Sequence, residues 1–471
     1  MLFLLLGCSL GRFEYDACTS NEACRDAFGW GQICGAEGLC ETTEVPARCA
    51  QTWPDDLLTS ATEYDDSIVL GVNYDRTDFA YEVLAMRLAI IQANEQGGLD
   101  GRDFALIECD NRDDERYDEL TQDEANVFNT EWLADNIGVP GIIGPATSGR
   151  SEAAYQVAEP LDALLISPSA TSPALTDIDG LSSTDTDPGL FWRTAPPDSL
   201  QGEVIASYMV NELGASVVSV VYETGPYGEG LADAFIENFE GIGRTVVKRS
   251  FDSASERDEA IAAAGGGGFD QLLFIGSEKD DLTALFFAAG QLEAFTTEED
   301  PVGIFLSDGA YYIDIFEDVA DQSVLFDQVR GSRPTTIPGI VYDAFAASYA
   351  GAFGGQDPSE AGFTAYAYDA AWLLLYGSAW SGYQEGEITG TGIGRGLRQL
   401  SSGEDVDIKP STWISVRANF EAGVSINVIG ASGELDYDST TGETTSPIEV
   451  WGVQSNGSGG YEFTTEDIIQ P

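Results

Sequence analysis

The chain contains no histidine among its 471 residues and only three lysines, Lys248, Lys279 and Lys409. Without imidazole there is no Ser-His-Asp or Cys-His nucleophile system and no histidine-ligated zinc. Basic residues number 21 against 80 acids, a net charge of −59. Such a surface repels nucleic acid and anionic lipid headgroups, and neither is expected as a partner. The acids are spread along the whole chain, which reads as a solvated surface suited to a salty habitat rather than as an acidic tail. Carboxylate-pair hydrolysis is the one enzymatic alternative left open, but acids are so abundant that no pair stands out by spacing.

With 43% apolar residues, the chain has ample material for two or three packed domains. Its most informative stretch is PGIIGPATSGRSEAAYQVAEPLDALLISPSATSP, Pro140 to Pro173. It predicts a strand over Gly141 to Ile143, a loop over Gly144 to Gly149 and a helix to about Glu159. A second strand follows over Ala163 to Ile166, then a hydroxyl-rich loop over Ser167 to Ser172. A right-handed β-α-β unit brings both loops to the carboxyl ends of neighbouring parallel strands, where open α/β sheets hold ligands. Ser148 precedes one helical pattern, and Ser172-Pro173 is an N-cap followed by proline. Free N–H groups and the hydroxyls of Ser148, Ser169 and Thr171 would together suit a small carboxylate. The plainer alternative is that these hydroxyls only cap helices.

GIIGPATSGRSEAA, LLISPSATSPALT, FWRTAPPDSLQG and GPYGEGLADAF resemble, in order and spacing, the leucine/isoleucine/valine-binding proteins of ABC importers, within the type I periplasmic binding proteins. The similarity runs from about Ser67 to Gln454. It implies two doubly wound, Rossmann-like α/β lobes joined by a multi-crossing hinge and preceded by a small Cys-rich segment. Lobe 1 is expected over 67–196 and 335–437, and lobe 2 over 197–334 and 448–471. Crossings are expected near Pro196 to Asp198, Arg333 to Thr335 and Tyr437 to Ile448. The resemblance implies that Ser148 and Thr171, with Ala146, Thr147, Ser169 and Ala170 around them, hold a ligand's α-carboxylate and amino group. Tyr227 would close over the ligand and Asp308 would meet its ammonium. Ser277 stands where the family often has an aromatic residue, and Asn73 to Asp78 replaces the family's Gly-Pro-x-x-Gly loop, which leaves side-chain specificity undefined. TAYAYDAAWLLLYGSAW resembles the helix that returns the chain to lobe 1, and VIGASGELDYDSTTGE resembles its closing β-hairpin. Arg150 would admit a ligand with a second acid group, or simply lie on the surface.

In lobe 2 the pattern predicts strands at Val217 to Tyr222, Thr245 to Ser250, Gln271 to Ile275 and Gly303 to Leu306, with helices between them. In lobe 1 it predicts a strand at Ser67 to Val72, a helix from Phe79 to Gln96 and a helix from Leu120 to Asn136. The glycines of GTGIGRG, Gly390 to Gly396, lack the strand-then-helix setting of a phosphate loop. Asp177, Asp179, Asp185 and Asp187 lack the spacing of a calcium loop. No metal or cofactor is expected.

Leu2 to Leu6 are too few to span a bilayer. Leu5-Leu6-Gly7-Cys8 resembles a bacterial lipobox, which implies a natural start upstream, an acylated Cys8 (residues 1–8 being a truncated signal) and a body outside the cytoplasm. Ser9 points to the outer rather than the inner membrane. A misassigned start beside a chance cysteine is the alternative. Residues 9–50 hold Cys18, Cys24, Cys34, Cys40 and Cys49; with Cys109 they make six, suited to three disulfides. Four are expected to pair among themselves, with Cys49 joined to Cys109; the x5 spacings are poor for the rival zinc site. Residues 51–66 read as a linker. The whole describes a periplasmic or surface-exposed, lipid-anchored monomer that binds a small amino-acid-like molecule and serves an ABC permease. A sensory binding protein without transport is the first alternative, and a carboxylate-based hydrolase the second.

Overall fold

The structure is a computed structural model that describes residues 17–180, 184 and 186–470; Cys8, the lipobox and Asp185 lie outside the described residues. Two sheets organise it. The first runs in spatial order Gln51–Trp53, Phe104–Asp110, Ile68–Tyr74, Gly141–Ile143, Leu164–Ser167, Phe191–Arg193. All its pairings are parallel except that of the edge strand Gln51–Trp53. Ile68–Tyr74 and Phe104–Asp110 are buried at every position because helices cover both faces of the sheet.

The second sheet runs Thr245–Phe251, Val217–Glu223, Gln271–Ile275, Gly303–Leu306, Val329–Pro334, Ile448–Ser455, Tyr461–Ile469. Its first five strands pair in parallel, and the pairings of Val329–Pro334 with Ile448–Ser455 and of Ile448–Ser455 with Tyr461–Ile469 are antiparallel. In each sheet the chain goes first to one side of its opening parallel strand and then to the other. The reversals fall between Ile68–Tyr74 and Gly141–Ile143, and between Val217–Glu223 and Gln271–Ile275. At such a switch point the loops leaving the carboxyl ends diverge and leave a crevice.

The chain passes from the first sheet to the second between Arg193 and Asp198, returns after Pro334, and crosses again before Ile448. On its return it forms the 22-residue helix Thr364–Glu385, buried along most of its length and packed against Ala80–Glu95. Asp369 in that helix is fully buried and accepts hydrogen bonds from the Ala431 and Ser432 backbone N–H groups at 2.9 and 2.7 Å. It therefore serves as an anchor for the loop before the last crossing.

Several expectations are corrected. Residues 51–66 are not simply a linker: Gln51–Trp53 is the antiparallel edge strand of the first sheet. The disulfides are as expected, Cys49 joined to Cys109 across 60 residues and the other four paired among themselves, Cys18 with Cys34 and Cys24 with Cys40. Cys49 thus belongs to the first lobe's core, while the module before it docks on that lobe: Trp132 Nε1 donates to the Glu44 carbonyl at 3.1 Å, and Asn136 to Thr43 Oγ1 at 2.9 Å. The helix read from Leu120 to Asn136 is α-helical only over Gln122–Glu131 and continues as a wider π turn to Ile137. The expected closing hairpin shrinks to one bridge, Ile429 with Glu434, because Ile426–Ile429 pairs in parallel with Glu404–Asp407. The glycine run is a helix, Gly390–Leu397, whose bare backbone lies against Asp162, Gly189 and Gly377 where a Cβ would clash.

Candidate functional site

The carboxyl edges of the two sheets line one cleft of about 1290 Å³. From the first sheet come Asp78 to Glu82 after Ile68–Tyr74, Ala146 to Arg150 after Gly141–Ile143, and Ser169 after Leu164–Ser167. From the second come Glu223 to Tyr227, Ser277 with Glu278, and Asp308 with Gly309. Gly144 permits the first turn: its φ is +100°, and a Cβ there would lie 2.5 Å from the Asn73 carbonyl oxygen.

On the first wall, hydroxyls and main chain hold one another. Ser148 is the first residue of the helix Ser148–Ala158 rather than its cap, and its Oγ accepts from the Ser172 N–H at 3.1 Å. Ser169 Oγ donates to the Ala146 carbonyl at 2.9 Å and lies 3.0 Å from the Tyr74 hydroxyl. The fully buried Arg193 fixes the second loop, donating to the Ala170 and Ser172 carbonyls at 3.2 and 2.8 Å while pairing with Glu443. Ser172 does not begin a full helix: it caps the short 3-10 turn Pro173–Leu175, so the dipole expected there is small. Its hydroxyl instead reaches the Pro226 carbonyl of the second lobe at 2.6 Å.

Of the residues expected to bind ligand, Ala146, Thr147, Ser148, Ser169, Tyr227, Ser277 and Asp308 line the cleft. Ala170 and Thr171 do not. Both are buried; the Ala170 carbonyl is committed to Arg193, and Thr171 Oγ1 donates to Asp198 Oδ2 at 3.0 Å. Asp123 and Gln122 hold Arg150, which stands at the cleft.

The second wall carries acid. Asp308 accepts from the Tyr227 hydroxyl at 2.7 Å and from Gln201 Nε2 at 3.1 Å. Gly309 N–H donates to the same tyrosine oxygen at 3.1 Å, an approach that a side chain at Gly309 would crowd. Behind Asp308 is Asp198, fully buried, with Oδ1 unpartnered among the described residues. Burial pushes both carboxyls up, and the charge of Asp308 pushes Asp198 further. Two buried acids side by side are stabilised by sharing a proton or by a cation at the cleft. Glu223, which takes the Ser277 N–H at 2.9 Å and its hydroxyl at 3.1 Å, is raised by burial to about 7.

The residues beyond the sequence reading are Tyr74, Glu82, Arg193, Asp198, Gln201 and Glu223. One of them left a trace: Glu82 lies four residues before Met86 on the stripe that continues through Ala89, Ile90 and Ala93, an acid on an apolar face.

A sequence profile of the periplasmic binding proteins matches residues 79–454. The chain belongs to the periplasmic binding protein family. Its fold is the type I fold of that family. Among curated relatives, the Leu/Ile/Val-binding protein BraC3 of Rhizobium johnstonii is 28% identical over 170 residues, which cover 36% of this chain and 42% of that protein. The Leu/Ile/Val-binding protein of Citrobacter freundii is 28% identical over 176 residues, covering 37% and 43%. The matched stretch thus spans less than half the length of those relatives. Among solved structures, the isoleucine complex of LivJ from Streptococcus pneumoniae shares the fold with a TM-score of 0.60 at 20% identity, covering 86% of this binding protein and all of LivJ. A solute-binding protein of R. palustris in complex with 4-hydroxybenzoate superposes at a TM-score of 0.62 with 14% identity, over 86% and 98% of the two chains.

Proposed function

We propose that this binding protein closes its two lobes around a small molecule carrying both a carboxylate and an ammonium, an amino acid or close analogue, and delivers it to an ABC permease. The observation that carries the reading is the division of charge across the cleft. One wall offers hydroxyls and main-chain donors at Ala146 to Ser148; the other offers Asp308 backed by Asp198. A carboxylate suits the first and an ammonium the second. The site binds rather than transforms, and lobe closure gives both affinity and the signal of loading. The protein works as a monomer outside the cytoplasm, held by lipid on Cys8.

An aromatic carboxylic acid is the second reading, favoured by the rings of Phe79, Tyr311, Tyr312 and Phe363 on the cleft. Thermal denaturation separates the two. A ligand at about a hundred times its Kd adds roughly 2.7 kcal/mol to stability. Free amino acids should raise the melting temperature while hydroxybenzoates and sugars leave it unchanged; a shift with hydroxybenzoates alone would replace the first reading by the second.

A further inference from the structure

Eleven acidic residues and two arginines line the cleft. Both arginines are already paired, Arg150 with Asp123 at 3.2 Å and Arg333 with Glu449 at 2.7 Å. An acidic surface accounts for the acids at the rim but not for Glu82. That residue lies in the first turn of Ala80–Glu95, between the buried core and the cleft, and is only 3% exposed. Its Oε2 has no hydrogen-bond partner among the described residues. Packing alone would favour Leu or Met there, since a buried carboxylate without a cation is costly.

Aromatic side chains surround it. Tyr74, Tyr312 and Tyr349 all lie within reach of its charge, and Phe79 stands edge-on to Tyr74 with ring centroids 5.4 Å apart. Tyr312 comes from the second lobe, lines the same cleft and also feels Asp308. An unpaired carboxyl on a cleft that also carries tyrosine and phenylalanine rings is a receptor for a positively charged nitrogen.

We propose that Glu82 receives a second cationic group, and hence that the ligand is a carboxylate bearing two cationic nitrogens, of the diamino-acid class. The proposal rests on the amino-acid reading above and adds its side-chain chemistry. Asp308 takes one nitrogen from the second lobe and Glu82 the other from the first. Burial raises the Glu82 carboxyl to about 7, so it ionises readily when a cation arrives and stands neutral when none is near.

Calorimetric titration of the full chain and of Glu82→Gln with lysine, ornithine, norleucine and 1,5-diaminopentane tests it. Lysine or ornithine should bind the wild type roughly tenfold or more tighter than norleucine. The Gln variant should lose that preference. Equal or tighter binding of norleucine by the wild type overturns the proposal and leaves the amino-acid reading standing. A preference for lysine that survives in Glu82→Gln overturns the assignment to Glu82. Binding of the diamine alone, lost in the variant, supports Glu82 as a cation receptor and sinks the carboxylate reading. Binding of no probe sinks both. Should the variant fail to fold, the wild-type ratio of lysine to norleucine decides.

Discussion

The two walls of the cleft are built by opposite means. Around Ser148, Ser169 and Ser172 several donors and acceptors bond one another within the wall, with Arg193 and Glu443 pinning the loop from behind. Across from it, Asp308, Asp198 and Glu223 form no ion pair among the described residues, and burial raises all three although Arg193 partly offsets the rise at Asp198. The first wall is a shape fixed in advance; the second holds a charge that a ligand must satisfy. Damage to the first should therefore appear mainly in stability and damage to the second mainly in binding.

The largest expected effect is on the fixed wall. Arg193→Met leaves Glu443 without its partner and frees the Ala170 and Ser172 carbonyls, which should lower stability by about 3 to 5 kcal/mol in urea unfolding. A variant as stable as wild type would mean that the loop holds its shape without the pair. Next comes Asp308→Ala, which should weaken binding of an amino-acid ligand found by the thermal screen by roughly 2 to 5 kcal/mol in calorimetry, with Asp308→Asn milder and the fold intact. An unchanged Kd would move ammonium recognition to another acid and erase the contrast between the walls.

Glu223 sharpens the contrast through pH. Its folded value near 7 lies above the ordinary 4.5, so the folded chain holds the extra proton between those values. Its contribution is fully present below about 4.5 and is lost as pH rises through 7. Compared with Glu223→Gln, the wild type should lose on the order of 2 kcal/mol of stability between pH 5 and pH 8. Parallel profiles for the two proteins would show that Ser277 keeps the carboxylate ionised throughout. The smallest effect is expected from Thr171→Val, which removes one donor to Asp198 and should cost about 1 kcal/mol of stability while barely changing affinity. A large loss of affinity instead would return Thr171 to the ligand's reach.

The central parallel strands were legible because long apolar runs bounded by turn residues have few other uses, as in IVLGV and FALIE. The short edge pieces were not. Gln51–Trp53 and Phe191–Arg193 have three residues each and carry no period, and Tyr461–Ile469 is largely exposed, so it lacks the alternation that a half-buried strand would show. The helix Gly390–Leu397 escaped notice because glycine is a poor helix former, and only close packing on Thr364–Glu385 repays it. At the site, the β-α-β pattern pointed to Ser148 and Ser169 and the family resemblance to Tyr227 and Asp308, and all four line the cleft. What neither conveyed was which hydroxyls the protein spends on itself: Thr171 faces Asp198, a residue 27 positions away whose approach depends on the crossing between the sheets.

The three disulfides have a mechanical meaning. Two close the amino-terminal module and the third fastens Cys49 to the strand Phe104–Asp110, so every crosslink among the described residues falls on the first sheet's side. On the proposed closure, whatever grips the amino-terminal segment grips lobe 1 as a fixed jaw, and lobe 2 becomes the travelling jaw. A docking surface that must tell loaded from empty should then register the displacement of lobe 2. Reductant should slacken the mooring of the fixed jaw while leaving the stroke of the other free.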